Sequence, residues 1–361
     1  MSIAVVEIER KAILHNIEYL RKIAPYSSLI AIIKANAYSH GIKGVAQLLH
    51  TKVDCFGVAR LSEAMVLRHS GINTPIVLLE GFFLRDNIGD LIDFNIQTVV
   101  HCQWQIDALE KLIVDNQITT WFKFDTGMHR LGFNQQEAKT AFNRLVNCAA
   151  VRKPINIISH FSSADEANSN QTLKQIELFD KFIDSIEDKS LIGKISIAAS
   201  GGTLAWPMSH RDAIRPGIAI YGVSPFDEPV AELSPAMTFK SELIVVRDHK
   251  QGESVGYGQT WTSPKDTKLG VVAMGYGDGY PRSIPANTPV LINGRRVPIV
   301  GRVSMDMIVI DLGSDSLDKP GDEVIFWGKG LTVEEIAKHT GISAYELLTR
   351  LTGRAKIHYI D

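Results

Sequence analysis

Short runs of aliphatic residues along this chain are separated by longer stretches in which apolar positions recur every three or four residues, and that beat predicts most of its elements. Residues 3 to 8 alternate as a short strand, and Ile13, Ile17, Leu20 and Ile23 mark one face of a helix over 10 to 23. Strands are then predicted at 29 to 35, 55 to 60, 75 to 79, 96 to 101, 119 to 124, 156 to 160, 195 to 199 and 217 to 222. An amphipathic helical stretch follows each, the signature of βα units around a parallel sheet. Eight such strands in about 225 residues fit a (β/α)8 barrel of the TIM type. The competing open, doubly wound sheet lacks its glycine-rich first turn, since none follows Ile33.

The pattern changes near Ser224-Pro225-Phe226. Beyond it come alternating strands at Met237 to Arg247, Leu269 to Ala273, Val290 to Ile292, Arg296 to Ile299, Met307 to Asp311 and Glu323 to Trp327. Asn293-Gly294 is a hairpin signal, because both central positions of that turn want positive φ. Helical pieces at 332 to 339, with Thr332 as N-cap, and at 343 to 351 close the sequence. The fold class is therefore an α/β barrel over 9–224 followed by a mostly β domain over 225–361, with the first strand, 1–8, packing on the latter.

At 361 residues the chain is long enough for two cores, and 45% apolar with 22% charged residues is the balance of a globular protein. A formal net charge of -2 gives no electrostatic footprint for nucleic acid or an anionic membrane. Cys55, Cys102 and Cys148 lie far apart without metal spacing, as reduced core residues of a cytoplasmic protein do. The N-terminus has neither the basic start nor the apolar run of a signal peptide, and no apolar run nears the roughly 20 residues that span a bilayer.

Barrels place their chemistry at the C-terminal ends of the strands, so candidate residues can be read before any reaction is chosen. The first strand ends in Lys34, Tyr38 and His40, the second in Arg60 and Glu63, and the fifth in Lys123, Asp125, Thr126, Gly127 and Arg130. His160 ends the sixth, Ser200-Gly201-Gly202 follow the seventh, and Arg215-Pro216-Gly217-Ile218 open the eighth. A lysine emerging from apolar surroundings loses its charge readily and serves as nucleophile or base; taken alone, Lys34 also suits a lysine that snorkels out of a strand end. Loops after strands seven and eight commonly hold phosphate. Together with a strand-one lysine they suggest a phosphorylated aldehyde held as a Schiff base, which is pyridoxal phosphate. His160 with Asp165 and Glu166 fits no usual metal spacing.

Read in full, these segments resemble the alanine racemase family, pyridoxal-phosphate enzymes built from an N-terminal barrel and a C-terminal β domain. The similarity runs nearly end to end. Ala31-Ile32-Ile33-Lys34-Ala35-Asn36-Ala37-Tyr38-Ser39-His40-Gly41 resembles the cofactor-lysine motif, departing at Ser39, where glycine is usual. The resemblance implies that Lys34 carries the cofactor, that Tyr38, Ser200, Gly217 and Ile218 meet its phosphate, that His160 packs beside it and that Arg215 faces its pyridine nitrogen. It further implies that Lys34 and Tyr257, the latter from a second subunit, act as acid/base on opposite faces of the substrate. Lys123 matches a lysine often carbamylated, which orients Arg130 toward the substrate carboxylate. From the partner would come the Met305 amide and the supporting Asp306, with Tyr276 as a gate. One departure is plain: the family's tyrosine before the arginine of the C-terminal segment is missing from Leu351-Thr352-Gly353-Arg354, so its role is not carried over.

The activity so implied is an isomerase that interconverts L-alanine and D-alanine in a cytoplasmic homodimer with shared active sites. It would supply D-alanine for peptidoglycan or catabolise it, without metal, nucleic acid or membrane. A racemase of broader scope, a related barrel-type decarboxylase and a non-catalytic pyridoxal-phosphate carrier are the alternatives. A decarboxylase would bring a cysteine from its second domain, which offers none; a carrier would be a barrel alone.

Overall fold

The computed structural model describes residues 3–166 and 169–361. The chain forms two compact units, one of Asn16–Ala37 and Ile42–Ile220, the other of Met1–His15, Tyr38–Gly41 and Tyr221–Asp361. Strand β1 (Val5–Glu9) belongs to the second unit. In the first, eight parallel strands run in the order in which they occur: β2 (Ser28–Ile32), β3 (Cys55–Val58), β4 (Ile76–Leu78), β5 (Ile96–Val100), β6 (Thr120–Lys123), β7 (Ile155–Ile158), β8 (Ile192–Ser196) and β9 (Ala213–Ile214), with β9 returning to β2. Between β8 and β9 the circle is closed by the Arg215 N–H on the Ala198 carbonyl at 2.9 Å and the Ser196 hydroxyl on the Ala213 carbonyl at 2.5 Å. β3 and β4 are buried on both faces, which is why they read as unbroken apolar runs, whereas β8 is mostly half-buried and includes the exposed Lys194. Phe122, Phe124, Phe133, Phe142 and Phe182 fill the space between barrel and helices with stacked and edge-on rings.

Two sequence expectations shift here. The eighth strand is Ala213–Ile214, not 217 to 222: Pro216 has no N–H to donate to a ladder, and the fully buried Ile218–Tyr221 coils as a 3₁₀ turn. A short apolar run cannot by periodicity alone be told from a strand. The first barrel strand stops at Ile32 rather than 35, because the backbone then changes hand. Ala35, Asn36 and Ala37 lie at φ 53, 54 and 55° with ψ near 50°, and Tyr38 and Ser39 continue at φ 52 and 62°. Five successive L-residues thus form a left-handed turn, an arrangement that costs about 1–2 kcal/mol per residue.

In the second unit, β10 (Met237–His249), β11 (Ser254–Val255), β12 (Trp261–Thr262), β13 (Thr267–Val272), β14 (Pro289–Ile292), β15 (Arg295–Val300), β16 (Ile308–Asp311), β17 (Glu323–Trp327) and β18 (Lys356–Ile360) follow. The order β13-β16-β15-β14-β17-β10, with β10 also pairing to β13, closes a ring of antiparallel strands. The thirteen-residue β10 serves both ends by a register shift between Leu243 and Val245. β1 extends the sheet beside β10 and is covered in turn by β18. Phe239, Phe326, Trp327 and Tyr280 form its aromatic centre. The Asn293-Gly294 hairpin forms as its sequence predicts, with φ of 45 and 77°. β18 escaped the sequence reading because its alternating residues are only half-buried or exposed. Its Tyr359 hydroxyl donates to the His40 and Gly41 carbonyls, at 2.7 and 3.1 Å. A side chain at Gly41 would place its Cβ 2.6 Å from that hydroxyl, and φ there is 90°.

Ser39→Gly removes the left-handed penalty at the position where serine occupies it. The expected result is a gain of up to about 1 kcal/mol, after allowing for glycine's unfolded-state entropy, read as a higher denaturant midpoint at unchanged slope. A lower midpoint would mean that the serine side chain earns its place by contacts that outweigh the backbone.

Candidate active site

Within the barrel unit, the sequence-selected cations meet at one end. Lys34 follows β2 and Lys123 ends β6, while Arg130 stands exposed on the loop beyond Asp125. Burial lowers the Lys34 pKa; Glu80 and Glu63 oppose that fall, and Arg130 and Arg60 add to it. Lys123 falls further, to about 8, through burial first and then the charges of Arg215, Arg130 and Lys34. Asp125 is the carboxylate nearest in sequence, and it is held below the usual range although burial works the other way. Its oxygens accept the Gly127 and His129 N–H groups at 3.0 and 3.1 Å and the His129 ring at 3.0 Å. His129 is thus an exposed partner of Asp125.

Arg215 lies at the centre, 4% exposed. It donates through Nη1 to Ser196 Oγ at 2.6 Å and through Nη2 to the Ser159 carbonyl at 2.6 Å. Nη2 also reaches His160 Nδ1 at 3.3 Å. Burial brings its pKa down to about 9, so it stays charged at neutral pH. A guanidinium can only donate, so Nδ1 of His160 must accept, which assigns the neutral ring with its proton on Nε2. Burial and the charges of Arg215, Lys123, Arg130 and Lys34 all hold His160 well below its ordinary pKa.

Ser200 Oγ accepts the Gly217 N–H at 2.9 Å and the Ala219 N–H at 3.3 Å, which leaves its hydroxyl proton to donate to an anion. Ile218 beside it is fully buried. The two glycines after Ser200 serve packing instead: a Cβ on Gly201 would lie 3.2 Å from Ala164, and one on Gly202 3.0 to 3.1 Å from Ala198 and Phe161. Sequence reasoning missed Gln175, fully buried on the helix Asn170–Asp184. It accepts the Ser162 N–H and hydroxyl and donates to Thr126 Oγ1 and the His160 carbonyl, all at 2.9 to 3.1 Å. Only its helical position facing the barrel would have signalled it. Among the described residues no cluster of histidine, cysteine and carboxylates could hold a metal.

The second unit carries the remaining candidates. Tyr38 packs against Tyr221 at 5.1 Å between ring centres and faces Tyr345 at 6.2 Å; burial raises its pKa. His40 is fully buried, stacked on Tyr221 at 4.2 Å with Nδ1 on the Tyr38 carbonyl, and so acts as a packing residue of the turn. Tyr257 is 70% exposed on a short turn whose flanking glycines have φ of 74 and 73°, with Arg302 beneath Gly258. Tyr276 and Met305 come together through their backbones: the Tyr276 N–H meets the Ser304 carbonyl at 3.1 Å and the Gly277 N–H the Met305 carbonyl at 2.9 Å. Met305 is 51% exposed. Arg354 ties this pair of loops, donating to Asp306 at 2.8 Å and pairing with Asp278 at 3.3 Å, while the Thr352 hydroxyl donates to the Gly277 carbonyl at 2.7 Å. The segment that lacks the family's tyrosine therefore holds the Tyr276 loop through Thr352 and Arg354.

Comparison with known proteins shows the family. Residues 8–225 match the model of the alanine racemase N-terminal domain, and residues 236–359 that of the alanine racemase C-terminal domain. The chain is 54% identical over 366 residues to an alanine racemase of Pectobacterium atrosepticum, covering 100% of this chain and 99% of that protein. It is 52% identical to the biosynthetic alanine racemase of Escherichia coli K12, with both chains covered in full. Among solved structures, the biosynthetic alanine racemase of Pseudomonas aeruginosa superposes with a TM-score of 0.94 at 40% identity, each chain covered completely. That of Bartonella henselae, solved with covalently bound pyridoxal phosphate, gives 0.91 at 27% identity, again over both whole chains.

The depressed Lys123 makes stability depend on pH in a definite sense. Its folded pKa of about 8 lies below the ordinary 10.5, so the protonated form opposes folding below pH 8. That opposition fades as pH rises toward 10.5, because the folded chain releases its proton first. Lys123→Met, melted beside the wild type in CO2-free buffer, should be the more stable protein at pH 7, with its advantage shrinking across that interval. A difference that does not change with pH would remove the case for a strained cation at this site.

Proposed function

The chain belongs to the alanine racemase family, and we propose that it racemises alanine with two acid/base groups, Lys34 from one subunit and Tyr257 from another. It is a pyridoxal-phosphate-dependent isomerase that interconverts L-alanine and D-alanine. The observation that carries the reading is Lys34, whose amine is pushed toward its neutral, nucleophilic form at the end of a buried barrel strand. The residues around it suit the cofactor. Ser200 has a proton to donate to a phosphate oxygen, with the backbone of Gly217 and Ile218 alongside; the family resemblance adds Tyr38 as a further phosphate ligand. His160 is held neutral beside Arg215, and Arg215, charged at neutral pH, offers a ring nitrogen only donors.

Once bound, the cofactor supplies the electron-withdrawing ring that lets the substrate Cα lose its proton. This chain's residues decide where that proton goes. Lys34 takes or returns it on one face, and the Tyr257 phenol does so on the other. A positioned acid/base of this kind contributes typically 10²–10⁴ in rate. Arg130 of one subunit and the Met305 amide of the other hold the substrate carboxylate, Asp306 supports Met305, and Tyr276 narrows the approach. Lys123, substantially neutral near pH 8, can attack CO2 through its amine, forming a carbamate and releasing a proton. The product is an anion that Arg130 can pair with in place of a repelling cation.

Tyr257, Tyr276, Met305 and Met307 stand out from the second unit, which suits residues completed by another copy of the chain, so the working form is a homodimer with shared sites. Among the described residues no helix is long and apolar enough to cross a membrane. Three free thiols fit a reducing cytoplasm, where the product would feed peptidoglycan synthesis.

The decisive variant is Tyr257→Phe, followed by proton NMR of L-alanine and D-alanine in deuterated water together with a chiral assay. Wild type should exchange the Cα proton and form the opposite enantiomer from either side. The variant should keep its bound cofactor, lose interconversion, and exchange the Cα proton of one enantiomer only. Undiminished interconversion by the variant would eliminate Tyr257 as the second base.

A further inference from the structure

A run of five L-residues in the left-handed region does not form by preference, so something outside the run must hold it. Part of the hold is internal: the Ala37 N–H meets the Ile33 carbonyl at 2.9 Å, and Asn36 Oδ1 accepts the Ile42 N–H at 2.9 Å. Another bond comes from Glu63, in the first turn of the helix Leu61–His69. Its Oε1 accepts the Ala35 N–H at 2.7 Å, and its Oε2 accepts the N–H groups of Ala59 and Arg60 at 2.8 and 3.0 Å. One carboxylate therefore caps its own helix and grips the peptide unit directly after Lys34.

We infer that Glu63 is a positioning residue: through Ala35 it fixes the left-handed turn that aims Lys34, and it does so separately from its capping of its own helix. An ionised oxygen on a backbone N–H is among the stronger hydrogen bonds, and a neutral side chain does not reproduce all three contacts. The charge of Glu63 also opposes the loss of the Lys34 proton, so the same group tunes the amine that it helps to place. The consequence for cofactor capture rests on Lys34 being the cofactor lysine; the consequence for the turn does not.

Glu63→Gln separates the two functions. The amide oxygen should settle where two N–H groups converge, at Ala59 and Arg60, which keeps the cap and turns the NH2 against the Ala35 N–H. Hydrogen exchange of the protein without added cofactor should then quicken about tenfold or more in the segment 34–39 while the helix Leu61–His69 stays protected. Affinity for pyridoxal phosphate should weaken about tenfold, a factor of the size expected for one backbone N–H left without its acceptor. Glu63→Ala should loosen turn and helix together. Exchange in 34–39 that matches wild type, or that rises no more than in the helix, would overturn the inference. Borohydride reduction of the loaded wild type supplies the other control. Labelling at a lysine other than Lys34 would sink the cofactor assignment, while the exchange comparison would still judge Glu63.

Discussion

One guanidinium sets the terms for the barrel end. Arg215 is buried and stays charged at neutral pH, anchored by the Ser196 hydroxyl and the Ser159 carbonyl. Its charge acts on both His160 and Lys123. His160 must accept rather than donate, Lys123 is drawn to about 8 by burial and then by the charge of Arg215, and Arg130 presses on Lys34 and His160 alike. In a chain whose net charge is only -2, burial and neighbouring cations make Lys34 and Lys123 release their protons more readily than ordinary lysines do. What results is a site ready for an anionic, carbonyl-bearing cofactor and an amino-acid carboxylate. The chemistry of the proposed reaction begins from that state of protonation.

The second constraint is geometric. In the role proposed for it Lys34 has to leave its strand at a defined angle, and directly after it the backbone reverses its hand. The strain is spread over Ala35 to Ser39 and is met by bonds from Glu63 and Asn36 in the barrel unit. In the other unit the Tyr359 hydroxyl and the stacked His40 and Tyr221 hold the residues Tyr38–Gly41. Active sites commonly store strain in this way, and it survives only where neighbours over-determine the conformation.

Much of this was readable in the residues themselves. Apolar runs ending near Lys34, Lys123 and His160 gave away strand ends of a barrel, because buried parallel strands read as near-continuous apolar stretches. The turn after Lys34 was not readable, since Ala-Asn-Ala-Tyr-Ser contains no glycine to announce positive φ; only the family's preference for glycine at the place of Ser39 hinted at it. The eighth strand was misplaced because Ile218–Tyr221 is as apolar as a strand, and Pro216 alone marked the break. Gln175 and Arg354 stayed invisible for a general reason. Their bonds join segments far apart in sequence, and nothing local distinguishes such a residue from a solvated one.

Tyr257 and Met305 stand exposed, which suits the proposed sharing of each site between two chains. Subunit mixing tests this directly. Lys34→Ala and Tyr257→Phe proteins are each purified, shown to be inactive, and then unfolded together and refolded as a mixture. Random reassembly puts half of the chains into hybrids, each with one site that holds an intact Lys34 and an intact Tyr257, so racemase activity should return to about a quarter of wild type. A mixture as inactive as its parents, with hybrid dimers demonstrated by mass, would contradict a site shared between two chains.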